Sequence, residues 1–159
     1  MSLLLQYERA DMMKVGLGIL EVTKDKTKNV NQMLNMIRQA GESGSDLVLF
    51  GEAAPTGLIN SDDPIKDIKL GEPIPGSTTS LLSQAAKEGN IYVATGIFER
   101  DGNSLYDSSV LIDPYGQIVL KYRRISPGWH GLNANPFFYR RGDSILNVGP
   151  PFASCVFLK

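Results

Sequence analysis

The pattern of apolar and polar positions changes period several times along the chain. Branched apolar residues dominate positions 15–22 and predict a first strand. From Thr27 to Ala40 the apolar residues Val30, Met33, Leu34, Ile37 and Ala40 follow one face of a helix, and Gly41 and Gly44 supply its stop. Leu47-Val48-Leu49-Phe50, bounded by Gly44-Ser45-Asp46 and by Gly51, reads as a short strand buried on both faces. Strand, helix and strand in this order predict a right-handed crossover between parallel strands, with the helix covering one face of the sheet.

The stretch 56–76 holds Pro64, Pro73 and Pro75 with Gly57, Gly71 and Gly76, and predicts loop with a turn of helix around 65–70. A second helix follows, in which Ser77, Thr78 and Thr79 offer capping hydroxyls, Leu81, Leu82, Ala85 and Ala86 form the apolar stripe, and Gly89 is the stop. Strands are predicted at 91–98 and 106–112, joined across Asp101-Gly102, and a third at 117–122 after the turn Asp113-Pro114-Tyr115-Gly116. From 123 to 143 the pattern becomes loop, interrupted by Trp129 and by Phe137, Phe138 and Tyr139, read as packing aromatics. Short strands at 144–148 and 153–158 flank Gly149-Pro150-Pro151. The fold class is α/β, with order β-α-β-α and then an antiparallel meander.

Length fits one domain of 159 residues, and 42% hydrophobic with 21% charged residues is an ordinary globular composition. A net charge of -1 gives no electrostatic case for a nucleic-acid or membrane partner. No apolar run approaches the roughly 20 residues that span a bilayer. The single cysteine, Cys155, excludes an internal disulfide framework and fits a reducing compartment, so a cytoplasmic location is expected. Residues 1–12 read as an N-terminal extension, because Met13-Lys14-Val15-Gly16-Leu17 leads directly into the first strand.

Glu52 stands just past the buried strand at 47–50. In open α/β sheets ligands bind at the carboxyl ends of strands, which makes Glu52 a candidate general base; the residues alone leave open that it simply starts a loop. Cys155, in an apolar strand and followed by Val, Phe and Leu, reads as a small buried hydrophobe or as a nucleophile. A nucleotide-binding module is disfavoured, because the turn Thr23-Lys24-Asp25-Lys26 lacks the glycines that admit phosphate.

Three segments, in order and spacing, resemble the carbon-nitrogen hydrolase (nitrilase) family. Phe50-Gly51-Glu52 with Thr56-Gly57 is similar to the segment around the family's glutamate, Leu105-Tyr106-Asp107-Ser108-Ser109 with Ile112-Asp113 and Gly116 to its central hairpin, and Lys121-Tyr122-Arg123-Arg124 to its Tyr-Arg-Lys segment. The resemblance runs from Met13 to Lys159 and implies an α-β-β-α sandwich, a partial domain over 13–159, and hydrolysis of a small amide, nitrile or carbamoyl compound. It further implies a glutamate base, a thiolate nucleophile and a lysine that stabilises the tetrahedral charge, with no metal and no cofactor, in a protein that forms homo-oligomers.

The chain departs from that pattern at several points. Glu52 matches the base; the lysine position falls on Arg124, with Lys121 lying earlier on the strand. No Glu lies between Arg124 and Lys159, where many members place a second one, and Asp143 is the only acid there. With Tyr139-Arg140-Arg141-Gly142-Asp143 as anchor, the family's cysteine falls just beyond Lys159, and Cys155 lies earlier on the same strand. The sequence is therefore read as the N-terminal half or so of such a domain, whose sheet lacks its second layer and exposes an apolar face and edge. Two functions follow as expectations: a Glu52-dependent hydrolase, or a catalytically inactive truncated remnant that self-associates or binds a partner.

Overall fold

The structure is a computed structural model that describes residues 13–57, 61–126, 130–131, 133–144, 147–148 and 155–156. Trp129, the segment 1–12 and Gly149-Pro150-Pro151 lie outside the described residues. The elements are β1 (Val15–Gly18), α1 (Lys26–Glu42), β2 (Leu47–Phe50), α2 (Pro64–Asp67), α3 (Ser77–Gly89), β3 (Tyr92–Asp101), β4 (Ser104–Ile112), β5 (Ile118–Arg123), β6 (Asn147–Val148) and β7 (Cys155–Val156). Five strands make one sheet in the order β1-β2-β3-β4-β5, and β6 pairs with β7 separately. β1, β2 and β3 run parallel through the two helical crossovers; β4 and β5 return antiparallel. This is the expected order of elements.

Strand alternation divides the apolar residues between two faces. Val48, Phe50, Val93, Ile97, Val110 and Ile112 meet Met33 and Ile37 of α1 and Leu82 and Ala86 of α3, forming the main core between sheet and helices. The opposite face carries Ala94, Leu111 and Leu120, with Phe98 and Leu105 packed against Ala134 and Tyr139. On β1 and β2 that second face is open: Leu17 is 70% exposed and Leu49 42%. Among the described residues the expected exposed apolar face is thus found on β1 and β2, while the segment after β5 folds back over the meander. Of its aromatics Tyr139 is buried and donates its hydroxyl to buried Asp67 Oδ2 at 2.7 Å, whereas Phe137 is exposed.

Helix ends differ from the sequence reading in instructive ways. α1 starts at Asp25, whose Oδ1 accepts the Lys28 N–H at 3.1 Å, and passes through Gly41 to end before Gly44, which has φ 67°. Gly41 instead lets the helices touch: a Cβ there would lie 2.8 Å from the Gly89 carbonyl oxygen. The N-cap of α3 is Gly76, and its first turn is satisfied by Glu72, whose Oε2 accepts from Thr78 N–H (2.9 Å) and Ser77 Oγ (2.8 Å). Of the expected capping hydroxyls, Thr79 Oγ1 accepts from the Gly76 N–H at 2.8 Å; the Glu72 carboxylate, from outside the helix, adds to it and also pairs with Lys26 of α1 at 2.9 Å. Burial pushes the Glu72 carboxyl up, but Thr78, Lys26 and Ser77 outweigh it and hold it below the usual range. The stop of α3 is Asn90, in the left-handed region at φ 47°, one residue past Gly89.

The meander is fastened by one buried acid. Glu99 on β3 is 1% exposed and accepts from Ser108 Oγ (2.5 Å), Lys121 Nζ (2.9 Å) and Arg123 Nη2 (2.7 Å). Burial opposes its charge, yet these donors win and its carboxyl sits low. Lys121 is therefore engaged on the helix-bearing face, where its register partner Val110 belongs to the main core.

Two substitutions test this packing. Gly41→Ala gains about 1 kcal/mol of helix propensity but drives a methyl into backbone, a cost of about 1–3 kcal/mol; a net loss near 1 kcal/mol is expected in urea unfolding. Glu99→Ala strips two cations of their shared partner, and because both are partly solvated and Arg123 keeps Asp101, about 2 kcal/mol is expected, below the usual loss for a fully buried pair. Unchanged unfolding midpoints would contradict these two assignments.

Candidate active site

Past Phe50 the chain turns sharply, and the turn is pinned from two sides. The Gly51 carbonyl accepts from Gly96 N–H (3.2 Å), carrying the parallel ladder one step beyond β2. Ala53 then adopts φ 46°, which costs a non-glycine residue about 1–2 kcal/mol. Its carbonyl accepts from Thr56 N–H (3.0 Å) and Gly57 N–H (2.7 Å), and buried Asn29 of α1 donates Nδ2 to the Pro55 carbonyl at 3.1 Å. Below the turn lies Gly96 of β3, where a Cβ would stand 2.7 Å from both Glu52 Cα and Ala53 N. A glycine at that point lets Glu52 lie over the sheet.

Arg124 follows β5 directly, and its backbone N–H donates to the Asp107 carbonyl at 2.8 Å. Nε donates to Ser126 Oγ at 2.9 Å, which orients the guanidinium. Nη1 donates to Glu52 Oε1 at 2.5 Å and to Asp107 Oδ2 at 3.1 Å. Glu52 and Arg124, singled out from sequence, thus meet across 72 positions of chain. Asp107 was not singled out. On β4 it shares a face with Leu105 and Leu111, and an acid among apolar neighbours of one strand face was the available signal.

These groups open onto a cavity of about 390 Å³ lined by Glu52, Thr95, Asp107, Ser109, Tyr122 and Arg124 among others. Asp107 is buried while Glu52 and Arg124 are partly solvated. Burial pushes the Asp107 carboxyl up to about 7, and the hydrogen bond and negative charge of Glu52 add to this against the pull of Arg124. The Arg124 guanidinium is itself held above its ordinary value, first by its hydrogen bond to Asp107. The site therefore offers an ionisable pair beside a fixed cation, suited to taking up a proton and to steadying developing negative charge.

Cys155 is placed on β7, opposite Val148 of β6; its side chain lies outside the described residues. Among the described residues no three His, Cys, Asp or Glu side chains gather to hold a metal ion. No helix among them is long and apolar enough to cross a membrane.

Comparison with known proteins adds family and fold. A formamidase of Bacillus cereus (strain AH820) is 32% identical over 113 residues, covering 69% of this chain and 33% of the relative. A formamidase of Bacillus cereus (strain Q1) is 30% identical over 122 residues, covering 74% and 36%. The crystal structure of a carbon-nitrogen hydrolase from Helicobacter pylori G27 superposes with TM-score 0.69 at 22% identity, over 82% of this chain and 45% of that one. An amidase from Nesterenkonia sp. gives TM-score 0.73 at 15% identity, over 91% and 54%. Saccharomyces cerevisiae Nit3, a member of branch 10 of the nitrilase superfamily, gives 0.72 at 19%, over 89% and 53%. The chain thus spans about a third of the length of these formamidases and about half of the solved structures. At these identities the superpositions establish the α/β fold of the nitrilase superfamily, and the carbon-nitrogen hydrolase family model matches residues 13–152. With most of its length matched in this way, the chain belongs to the carbon-nitrogen hydrolase family.

Proposed function

We propose that this protein hydrolyses a small amide, with Glu52 as general base and Arg124 as the cation that stabilises the tetrahedral intermediate. The observation that carries the reading is the contact between Glu52 and Arg124 at the mouth of a small cavity, at the carboxyl ends of β2 and β5. Glu52 takes the proton of a thiol, the thiolate attacks the amide carbon, and the carbonyl oxygen becomes an oxyanion beside the guanidinium. The intermediate collapses to a thioester as Glu52 returns its proton to the leaving nitrogen and ammonia departs; Glu52 then takes a proton from the water that attacks the same carbon and gives it to the departing sulfur, releasing the carboxylic acid and the thiol. The relatives named formamidase support a substrate of this size, and a Nesterenkonia amidase of the same fold has an active-site cysteine to which acrylamide adds. Arginine in the place of an ammonium keeps the charge while spreading it over a planar fork, so the oxyanion is met by directed N–H groups.

Ammonia release from formamide, acetamide and propionamide tests the reading. Turnover is expected with the protein as purified, and Glu52→Gln is expected to lower kcat/KM by at least ~10²-fold. Turnover by Glu52→Gln equal to the parent would overturn Glu52 as base. Cys155→Ser, run alongside, assigns the thiol: loss of turnover at unchanged fold makes Cys155 the nucleophile.

A second reading, a non-catalytic self-associating module, is favoured by the exposed apolar strip of Val15, Leu17 and Leu49 on the sheet edge. Light scattering checks it. A particle heavier than the 17.4 kDa chain is the expected result, and a monomer that turns over amide would rule the module out.

A further inference from the structure

We propose that Glu52 and Asp107 form one acid–base unit that holds a single proton between its two carboxyl groups under the Arg124 guanidinium, with Asp107 as the protonated member. The role of Glu52 as base rests on the hydrolase reading; the shared proton rests on geometry alone.

Glu52 Oε1 and Asp107 Oδ2 are both within hydrogen-bond distance of the same nitrogen, Arg124 Nη1, at 2.5 and 3.1 Å. This convergence on one nitrogen brings the two carboxyl groups together. An ionised carboxylate only accepts, so a hydrogen bond between two carboxyl groups requires a proton on one of them. Charge balance requires the same: two carboxylates against one guanidinium leave an excess negative charge in a partly desolvated site, and one proton removes it. Among the described residues, the groups facing Asp107 supply no other cation. The turn after β2 presents Glu52, β5 and its end present Tyr122 and Arg124, and β3 contributes the uncharged Ala94, Thr95 and Gly96; among the described residues no Lys or His lines the cavity.

Burial decides which carboxyl carries the proton. The Asp107 side chain is 9% exposed and that of Glu52 41%, so the charge is cheaper on Glu52, which also makes the shorter contact to Arg124. The upward displacement of the Asp107 carboxyl toward neutrality agrees with this placement. Asp107 is accordingly a positioning residue: its hydroxyl donates to Glu52 and keeps the base aimed at the cavity. When Asp107 loses its proton, both carboxylates clamp Arg124, and the guanidinium is less free to meet an oxyanion. The protonated form is the productive one, so activity falls as pH rises through the second titration of the pair.

Titration of the carboxyl carbons by NMR, on the whole chain between pH 4 and 9, tests the unit without reference to turnover. One carboxyl is expected to titrate near 7, and that signal is expected to vanish in Asp107→Asn. Buried Glu72 and Glu99 are held low, so neither produces such a signal. Glu52→Gln provides the independent arm: with the neighbouring charge removed and Arg124 left to Asp107, the midpoint of Asp107 is expected to move to lower pH. Every carboxyl titrating below pH 5 in folded protein, or a midpoint near 7 that is unmoved by Glu52→Gln, overturns the proposal. In amide turnover, Asp107→Asn, a permanent stand-in for the protonated acid, is expected to lose the alkaline fall that the parent shows, whereas Asp107→Ala loses activity. A carboxyl near 7 in a protein that hydrolyses no amide would leave the pair standing and remove the hydrolase reading. Glu52-dependent turnover with no such carboxyl would do the reverse.

Discussion

The absence of a side chain at Gly96 governs the geometry of the site. β3 is the middle strand of the sheet and packs on both faces, and at Gly96 the backbone of Glu52 and Ala53 comes down onto it more closely than any Cβ would permit. The positive φ of Ala53 and the buried Asn29 amide hold that turn in place, at a local cost that the main core offsets. Since Glu52 is carried on this turn, its reach to Arg124 is set by backbone contact with β3 rather than by the freedom of a loop.

The same sheet separates two kinds of buried acid. On the helix-bearing face Glu99 has donors from Ser108, Lys121 and Arg123 and is held charged, so it fastens β3, β4 and β5 together and serves structure. On the cavity face Asp107 is nearly as enclosed but shares Arg124 with Glu52 and is pushed toward the neutral form. Burial disfavours charge in both places; the count of donors decides the outcome. This contrast separates an acid that stabilises the fold from one suited to proton traffic.

Much of the architecture was legible in sequence because short-range physics fixes it. The 3.6-residue spacing in α1 and α3, the continuous apolar run of β2 and the Asp-Gly and Asp113–Gly116 turns all determine their elements through nearest neighbours on the chain. The helix ends were less legible. Gly41 and Gly89 look like stops but are the contact points of two helices, and the expected Thr79 hydroxyl shares the capping of α3 with Glu72, which no N-terminal signal of that helix contains.

For the site, the sequence by itself determined a carboxylate at the end of β2 and a guanidinium just past β5, since both follow directly from where those strands stop. Only the tertiary structure decided that the two meet, that Lys121 is taken up by Glu99, and that Asp107 joins them. The reason is physical: residue type and local spacing say which charges a chain carries and on which side of a strand they emerge. The protonation of a carboxyl depends on the donors, charges and solvent around it, and around Asp107 these come from the turn after β2 and the end of β5, tens of residues apart in sequence.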